Sequence, residues 1–297
     1  MSEVINNQHP LAEVFGYPIT NFTENAKRNR RNRLCPFHNR VPNCTKDKAN
    51  NPLGVCSIYN ENSAVITCPI RFREDWIITE GAANFFFGKN ATWTSISEVN
   101  LTDRSGKSAG HIDIVLVEYD KQGKVADFGA LEVQAVYISG NIRRPFEYYM
   151  ENPSERKNMV WKGNPNYPKP DYLSSSRKRL IPQILYKGGI LKAWGKKQAV
   201  ALQESFFRTL PEMPTSPADK ADIAWLIYDL EKDASGDFWH LVQKEIVYTQ
   251  FGPAMDRIIK PEPGEIGDFL DLLQSKLDEQ KGDNPPDAPI LTDEILQ

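Results

Sequence analysis

The stretch His111-Ile112-Asp113-Ile114-Val115-Leu116-Val117-Glu118-Tyr119-Asp120, the turn Lys121-Gln122-Gly123-Lys124 and the run from Val125 to Tyr137 decide the fold. Apolar, β-branched runs flank a short turn whose glycine adopts backbone conformations that other residues resist, so the stretch predicts a β-hairpin. Asp113 stands near the start of the first strand, and Glu132 and Gln134 late in the second. Side chains two apart on a strand share a face, so Glu132 and Gln134 project together, and folding the hairpin back brings Asp113 beside them. Two converging carboxylates repel unless a charge offsets them. A hard divalent cation such as magnesium, which prefers oxygen ligands, does so. The pattern points to a metal-dependent site for phosphodiester chemistry.

An Asp and a Glu on a hairpin are more often solvent-facing residues of a half-buried sheet. Here, however, Glu132 and Gln134 lie in Leu131-Glu132-Val133-Gln134-Ala135-Val136, and Asp113 leads Ile114-Val115-Leu116-Val117. A buried carboxylate without a partner is costly, so polar groups in such runs need one.

The chain of 297 residues is long enough for one large domain or two smaller ones. Its composition, 40% hydrophobic and 25% charged, is that of a globular protein. No apolar run suggests a membrane span, and residues 1–10 do not read as a signal peptide, so the expected location is the cytoplasm. The net charge of −3 argues against indiscriminate nucleic-acid binding. The distribution is uneven, however. Lys27-Arg28-Asn29-Arg30-Arg31-Asn32-Arg33, then Arg40, Arg71, Arg73, Arg143, Arg144, Arg177, Lys178 and Arg179 are basic, while acidic residues concentrate from Asp229 onward. A basic N-terminal half is compatible with one DNA-facing surface, although any single cluster can equally be a solvated loop.

Four cysteines, Cys35, Cys44, Cys56 and Cys68, lie in one segment separated by 8, 11 and 11 residues. Disulfides would need an oxidising compartment, and no export signal is visible. The preferred reading is a tetrahedral four-thiolate site for iron or zinc that ties together a loop-rich segment, although Cys-x-x-Cys knuckles are absent and His38 is a spare ligand at most.

Along the chain, residues 1–30 read as a partly helical arm and 31–75 as the cysteine segment. Residues 76–87 read as a helix, 95–101 as a short segment placing Glu98 near the hairpin, and 142–180 as an extended polar loop. The serines at 174–176 are read as capping a helix through residues 181–184. A spacing of four from Trp194 to Phe206 predicts a helix over 193–209; residues 222–230 read as a buried strand and 266–277 as an amphipathic helix. The expected architecture is mixed α/β (α+β), a mixed central sheet flanked by helices. Its expected parts are the arm and cysteine segment over 1–75, a catalytic domain over 76–280 and a loosely ordered tail over 281–297.

Asp113 with Glu132-Val133-Gln134 resembles the PD-(D/E)xK nuclease core, with Gln in place of the usual Lys. Together with the upstream cysteines and the phrase Phe128-Gly129-Ala130-Leu131-Glu132-Val133-Gln134-Ala135-Val136-Tyr137-Ile138-Ser139-Gly140-Asn141, it resembles the NotI-type restriction endonucleases, in a compact, EagI-like size, from about residue 25 to about 255. The residue before Asp113 is Ile112 where the simple nuclease pattern has proline. The resemblance implies a magnesium-dependent type II restriction endonuclease that cuts double-stranded DNA at a GC-rich palindrome as a homodimer in a bacterial cytoplasm. It implies that Asp113 and Glu132 bind magnesium, that Gln134 helps orient the attacking water, that Glu98 is a further acidic residue, and that Cys35, Cys44, Cys56 and Cys68 hold structural iron. Two competing expectations are a non-catalytic, metal-stabilised DNA-binding protein with a nuclease-like fold and a disulfide-bonded secreted module.

Overall fold

In a computed structural model, residues 9–38, 42–48, 50–261 and 263–283 are described. The first elements are strands β1 (Leu11–Val14) and β2 (Tyr17–Pro18), helix α1 (Glu24–Asn32), strands β3 (Val55–Asn60) and β4 (Ser63–Ile66), and helix α2 (Ile77–Phe86). Strands β5 (Trp93–Thr102), β6 (Ser108–Tyr119), β7 (Val125–Gln134) and β8 (Tyr137–Ser139) follow, then helices α3 (Arg143–Glu151) and α4 (Pro153–Arg156). Strand β9 (Lys169–Asp171), helices α5 (Tyr172–Ser175) and α6 (Ile181–Ala193), strand β10 (Gln198–Gln203) and helix α7 (Glu204–Phe207) come next. The last elements are strands β11 (Ile223–Lys232) and β12 (Trp239–Thr249) and helices α8 (Phe251–Ile259) and α9 (Ile266–Asp283). Described residues up to Ile258 form one compact unit, and those from Ile259, which include α9, a second. Among the described residues, no helix is long and apolar enough to cross a membrane.

The expected hairpin is present as β6 and β7, with Gly123 at φ 78° in its turn. It lies inside a six-stranded mixed sheet of order β12-β11-β10-β7-β6-β5. Strand β10 runs parallel to both β7 and β11, and the outer pairings are antiparallel. Gly129 lets α2 lie close on β7, because a Cβ there would stand 2.3 Å from the Phe86 ring. A second sheet of order β2-β1-β3-β4 carries part of the cysteine segment and shares one continuous hydrophobic core with the first. Gln203 at the end of β10 joins the two: its Oε1 accepts from Ile66 N at 2.8 Å and its Nε2 donates to Ala64 O at 2.7 Å.

Several sequence expectations are corrected. Residues 198–203 form a strand where a helix over 193–209 was expected. All six are buried, as a parallel strand covered on both faces requires, and a run this short carries no reliable period. The loop expected over 142–180 holds α3. Phe146 and Tyr149, three apart, face its core, and Asn141 Oδ1 accepts from Arg144 N at 3.1 Å at its start. Asp171 caps α5 where the serines at 174–176 were expected to cap a helix, and α6 runs on to Ala193. The arm carries β1 and β2 before α1, so its first described elements are strands. Residues 1–8 of the arm and 284–297 of the tail, together with Arg40, lie outside the described residues.

Candidate active site

Strand β7 changes partner at the point where the carboxylates meet. Its pairing with β6 ends at Leu131 opposite Ile114, while its pairing with β10 continues through Glu132 and Gln134. Past that point Asp113 Oδ2 takes the free backbone group, accepting from Val133 N at 2.8 Å. The strands diverge, and Asp113, Glu132 and Gln134 line a cavity of about 320 Å³ beside Thr67, Tyr137, Arg179 and Gln183.

Glu132 is 3% exposed. Its carboxyl pKa is pushed up to about 7, first by burial and then by the neighbouring Asp113 carboxylate, against the pull of the Lys187 ammonium. Lys187, itself 2% exposed, reaches in from α6. Its Nζ donates to Glu132 Oε2 at 2.7 Å, His111 O at 2.8 Å and Gln183 Oε1 at 3.0 Å. Nζ also lies 2.7 Å from Glu132 Oε1, but that approach lacks hydrogen-bond geometry, and Oε1 is a buried acceptor with no hydrogen-bond partner in the protein. Gln134 turns its amide Nε2 to Ala135 O at 2.6 Å. Two carboxylates lining one cavity, with the single Lys187 ammonium against them, fit a hard cation. Magnesium commonly takes one or two carboxylates, several waters and substrate phosphate oxygens.

Glu98 is not brought into this cavity. It sits on β5 between Ser97, paired with Ile114, and Val99, paired with Ile112, next to Asp113 in the sheet. Its φ is 58° and it is exposed. Lys187 was missed by sequence reading. The signal available was a spacing of four, Arg179, Gln183 and Lys187, which places the three on one helical stripe.

Of the basic residues expected to face DNA, Arg179 does line the site, with its guanidinium 4.4 Å from the centre of the Tyr137 ring. It also lines an adjoining groove of about 900 Å³ with Lys46, Asn141, Arg143 and Asn166. Arg143 pairs with Asp47 and Glu147 on the rim, and Arg144 stacks 5.9 Å from the Trp161 ring. Arg177 and Lys178 are exposed. Two others are structural. Arg30 is buried and donates to Pro18 O and Asn21 O, both at 2.6 Å, and Arg71 is buried against Glu13 and Glu74.

The four cysteines are free thiols within one electrostatic neighbourhood. Burial pushes Cys35 up to about 12, with Cys68 and Cys44 adding to it, and Cys44 and Cys56 are raised by burial and by Cys68. The expectation of a formed metal centre is not met as it stood. Among the described residues, no group of three or more His, Cys, Asp or Glu side chains is placed to hold a metal ion.

A family model described as restriction endonuclease NotI matches residues 13–241. That span runs from within β1 to the first residues of β12 and takes in both carboxylates and all four cysteines. No curated protein matches the chain.

Proposed function

The chain belongs to the NotI restriction endonuclease family and is a site-specific type II deoxyribonuclease, a hydrolase; from that membership we propose that it cuts double-stranded DNA with magnesium held by Asp113 and Glu132. The observation that carries the reading is the pair itself: two carboxylates lining one cavity, with the buried Glu132 pushed up to about 7 by burial and by Asp113. Bound magnesium would polarise the scissile phosphate and make hydroxide available near neutral pH.

The chain's own groups do the rest. Asp113 is fixed by Val133 N, and Glu132 by Lys187. Gln134, whose amide does not titrate, orients the attacking water by hydrogen bonds. Glu98 stands one strand away as a further acidic group on the approach to the site. Arg179 meets the DNA backbone beside the cavity, and Asn141, Arg143 and Asn166 reach base edges from the groove, as Arg and Asn side chains do in the major groove.

This arrangement is read as a PD-(D/E)xK core with Gln134 in the lysine position. The substrate is a GC-rich palindrome, which a two-fold homodimer would read with two copies of the same surface. The four cysteines hold structural iron or zinc once deprotonated. Their shared neighbourhood supports this, and closing the shell requires the thiols to move together. The enzyme acts in a bacterial cytoplasm, where its DNA substrate is met.

Incubating the purified protein with GC-rich DNA, with and without magnesium, beside a Glu132→Gln variant tests the reading. Gln is chosen because it leaves Lys187 an acceptor. Discrete fragments only from the unaltered protein and only with magnesium are expected. Intact DNA in every lane, with salt-sensitive DNA binding retained, would replace it with a non-catalytic DNA-binding protein.

A further inference from the structure

Lysine is almost never fully buried unless it is paired. Lys187 is buried and fully committed, because an ammonium has three N–H donors and all three are used, on Glu132 Oε2, His111 O and Gln183 Oε1. No donor is left for a water or a phosphate oxygen. The helix that carries it is tightly seated at this point: a Cβ on the next residue, Gly188, would stand 2.7 Å from Gln198 Oε1 and 2.8 Å from the Phe251 ring. The ammonium lies 2.7 Å from both Glu132 oxygens, hydrogen-bonding Oε2, so it grips the carboxylate at its edge and fixes the plane of the group.

We propose that Lys187 is a positioning residue of the cleavage reaction, which acts by holding the Glu132 carboxylate in one orientation and touches neither DNA nor the attacking water. The inference rests on the metal-dependent cleavage reading above. A buried ion pair adds little to stability over an apolar pair of the same volume, so what this pair supplies is the geometry of a carboxylate. Gln183, on the same helix, and Arg179, in the turn leading into it, precede Lys187 at intervals of four and line the cavity. The stripe therefore runs from a residue that meets the DNA backbone, in the turn, to one that sets a metal ligand, on the helix.

The test uses the full chain with Lys187→Met, which keeps the length and removes the charge, and Lys187→Arg, which keeps the charge. For Lys187→Met, kcat is expected to fall about 100-fold with KM for DNA within about threefold, the signature of a displaced catalytic ligand. Manganese binding to the DNA-free protein, read by calorimetry, should be undiminished, because the substitution removes a cation from beside the carboxylates. Lys187→Arg should recover about tenfold of the lost kcat, since charge and partial geometry return. Cleavage by Lys187→Met within about threefold of the unaltered protein would overturn the proposal, and so would manganese affinity lost in step with kcat. If Lys187→Met does not fold, Gln183→Ala, which removes one of the ammonium's three acceptors, decides: a lower kcat at constant KM supports the proposal, and an unchanged kcat overturns it. Absence of cleavage by the unaltered protein would instead remove the parent reading and this one with it.

Discussion

The Asp113–Glu132 pair has a cation of the chain's own in direct contact, whereas the described lysine that acts on the thiols, Lys46, spends its hydrogen bonds elsewhere. Lys187 Nζ stands 2.7 Å from the Glu132 carboxylate. Near the thiols, the Lys46 ammonium exerts a pull on Cys44 and Cys56, but its hydrogen bonds go to Val55 O, Thr67 O and Thr67 Oγ1. The consequence shows in where each cluster titrates. Glu132 is pushed up only to about 7, so near neutral pH it exchanges a proton for a metal readily. Cys35 is pushed up to about 12, so it stays a thiol until a metal displaces its proton. A catalytic ion that comes and goes with substrate suits the first cluster. A metal bound once, during folding, suits the second.

The largest effect should come from breaking the first cluster. Glu132→Gln or Asp113→Asn is expected to lower the cleavage rate by about 1000-fold or more while DNA binding persists. Glu132→Ala should in addition lower stability by about 3 kcal/mol, because it strands a buried ammonium. Chemical denaturation of the Ala and Gln variants side by side separates the two losses. Equal stability of the variants would mean that Lys187 is not the counter-charge the contrast relies on.

The second cluster is broken by its metal. Elemental analysis is expected to find one iron or zinc per chain, and Cys56→Ser should lower Tm by about 5–10 °C through loss of that metal. Four freely titrating thiols and no metal would reduce the cluster to ordinary buried cysteines and end the comparison.

The two regions were also unequally legible in the sequence. The hairpin carries its own period of two, so Asp113, Glu132 and Gln134 could be placed on one face from local pattern alone. Lys187 could not, because its partner lies 55 residues away on a strand and the ion pair exists only once α6 packs on the sheet. Strand β10 was misread because burial on both faces erases the alternation that marks a strand. Arg30 and Arg71 read as DNA-facing charges because the groups that satisfy them, Pro18 O, Asn21 O and Glu13, belong to other elements. The cysteines' closeness was visible as spacing, but coordination geometry is a matter of ångströms and was not.

The pH dependence sharpens the contrast. Glu132 has a folded pKa of about 7 against an ordinary 4.5, so between those values the folded protein binds the extra proton. The stability this group contributes is therefore present below pH 4.5 and lost as pH rises toward 7. Magnesium restores it above pH 7, because the cation replaces the proton. The rise in Tm on adding magnesium should be larger at pH 8 than at pH 6. At limiting magnesium, cleavage should fall about tenfold per pH unit below 7, and the fall should move to lower pH as magnesium is raised. A fall that does not move with magnesium would assign it to another group.

The smallest effect tests whether the two regions share one DNA track. The groove that adjoins the cleavage cavity is lined both by Lys46, of the cysteine segment, and by Arg179, of the turn leading into α6. If DNA lies along it, each cation neutralises one phosphate, and removing either should reduce the slope of log affinity against log salt by about 0.9. Arg179→Ala should show that change together with a KM for DNA raised about tenfold, because the residue also borders the cleavage cavity. Lys46→Ala should show the slope change with a smaller rise, because its ammonium already holds three oxygens of its own chain and offers the phosphate less. A slope that responds to Arg179 and not to Lys46 would confine the DNA to the carboxylate side and leave the cysteine segment a purely structural partner.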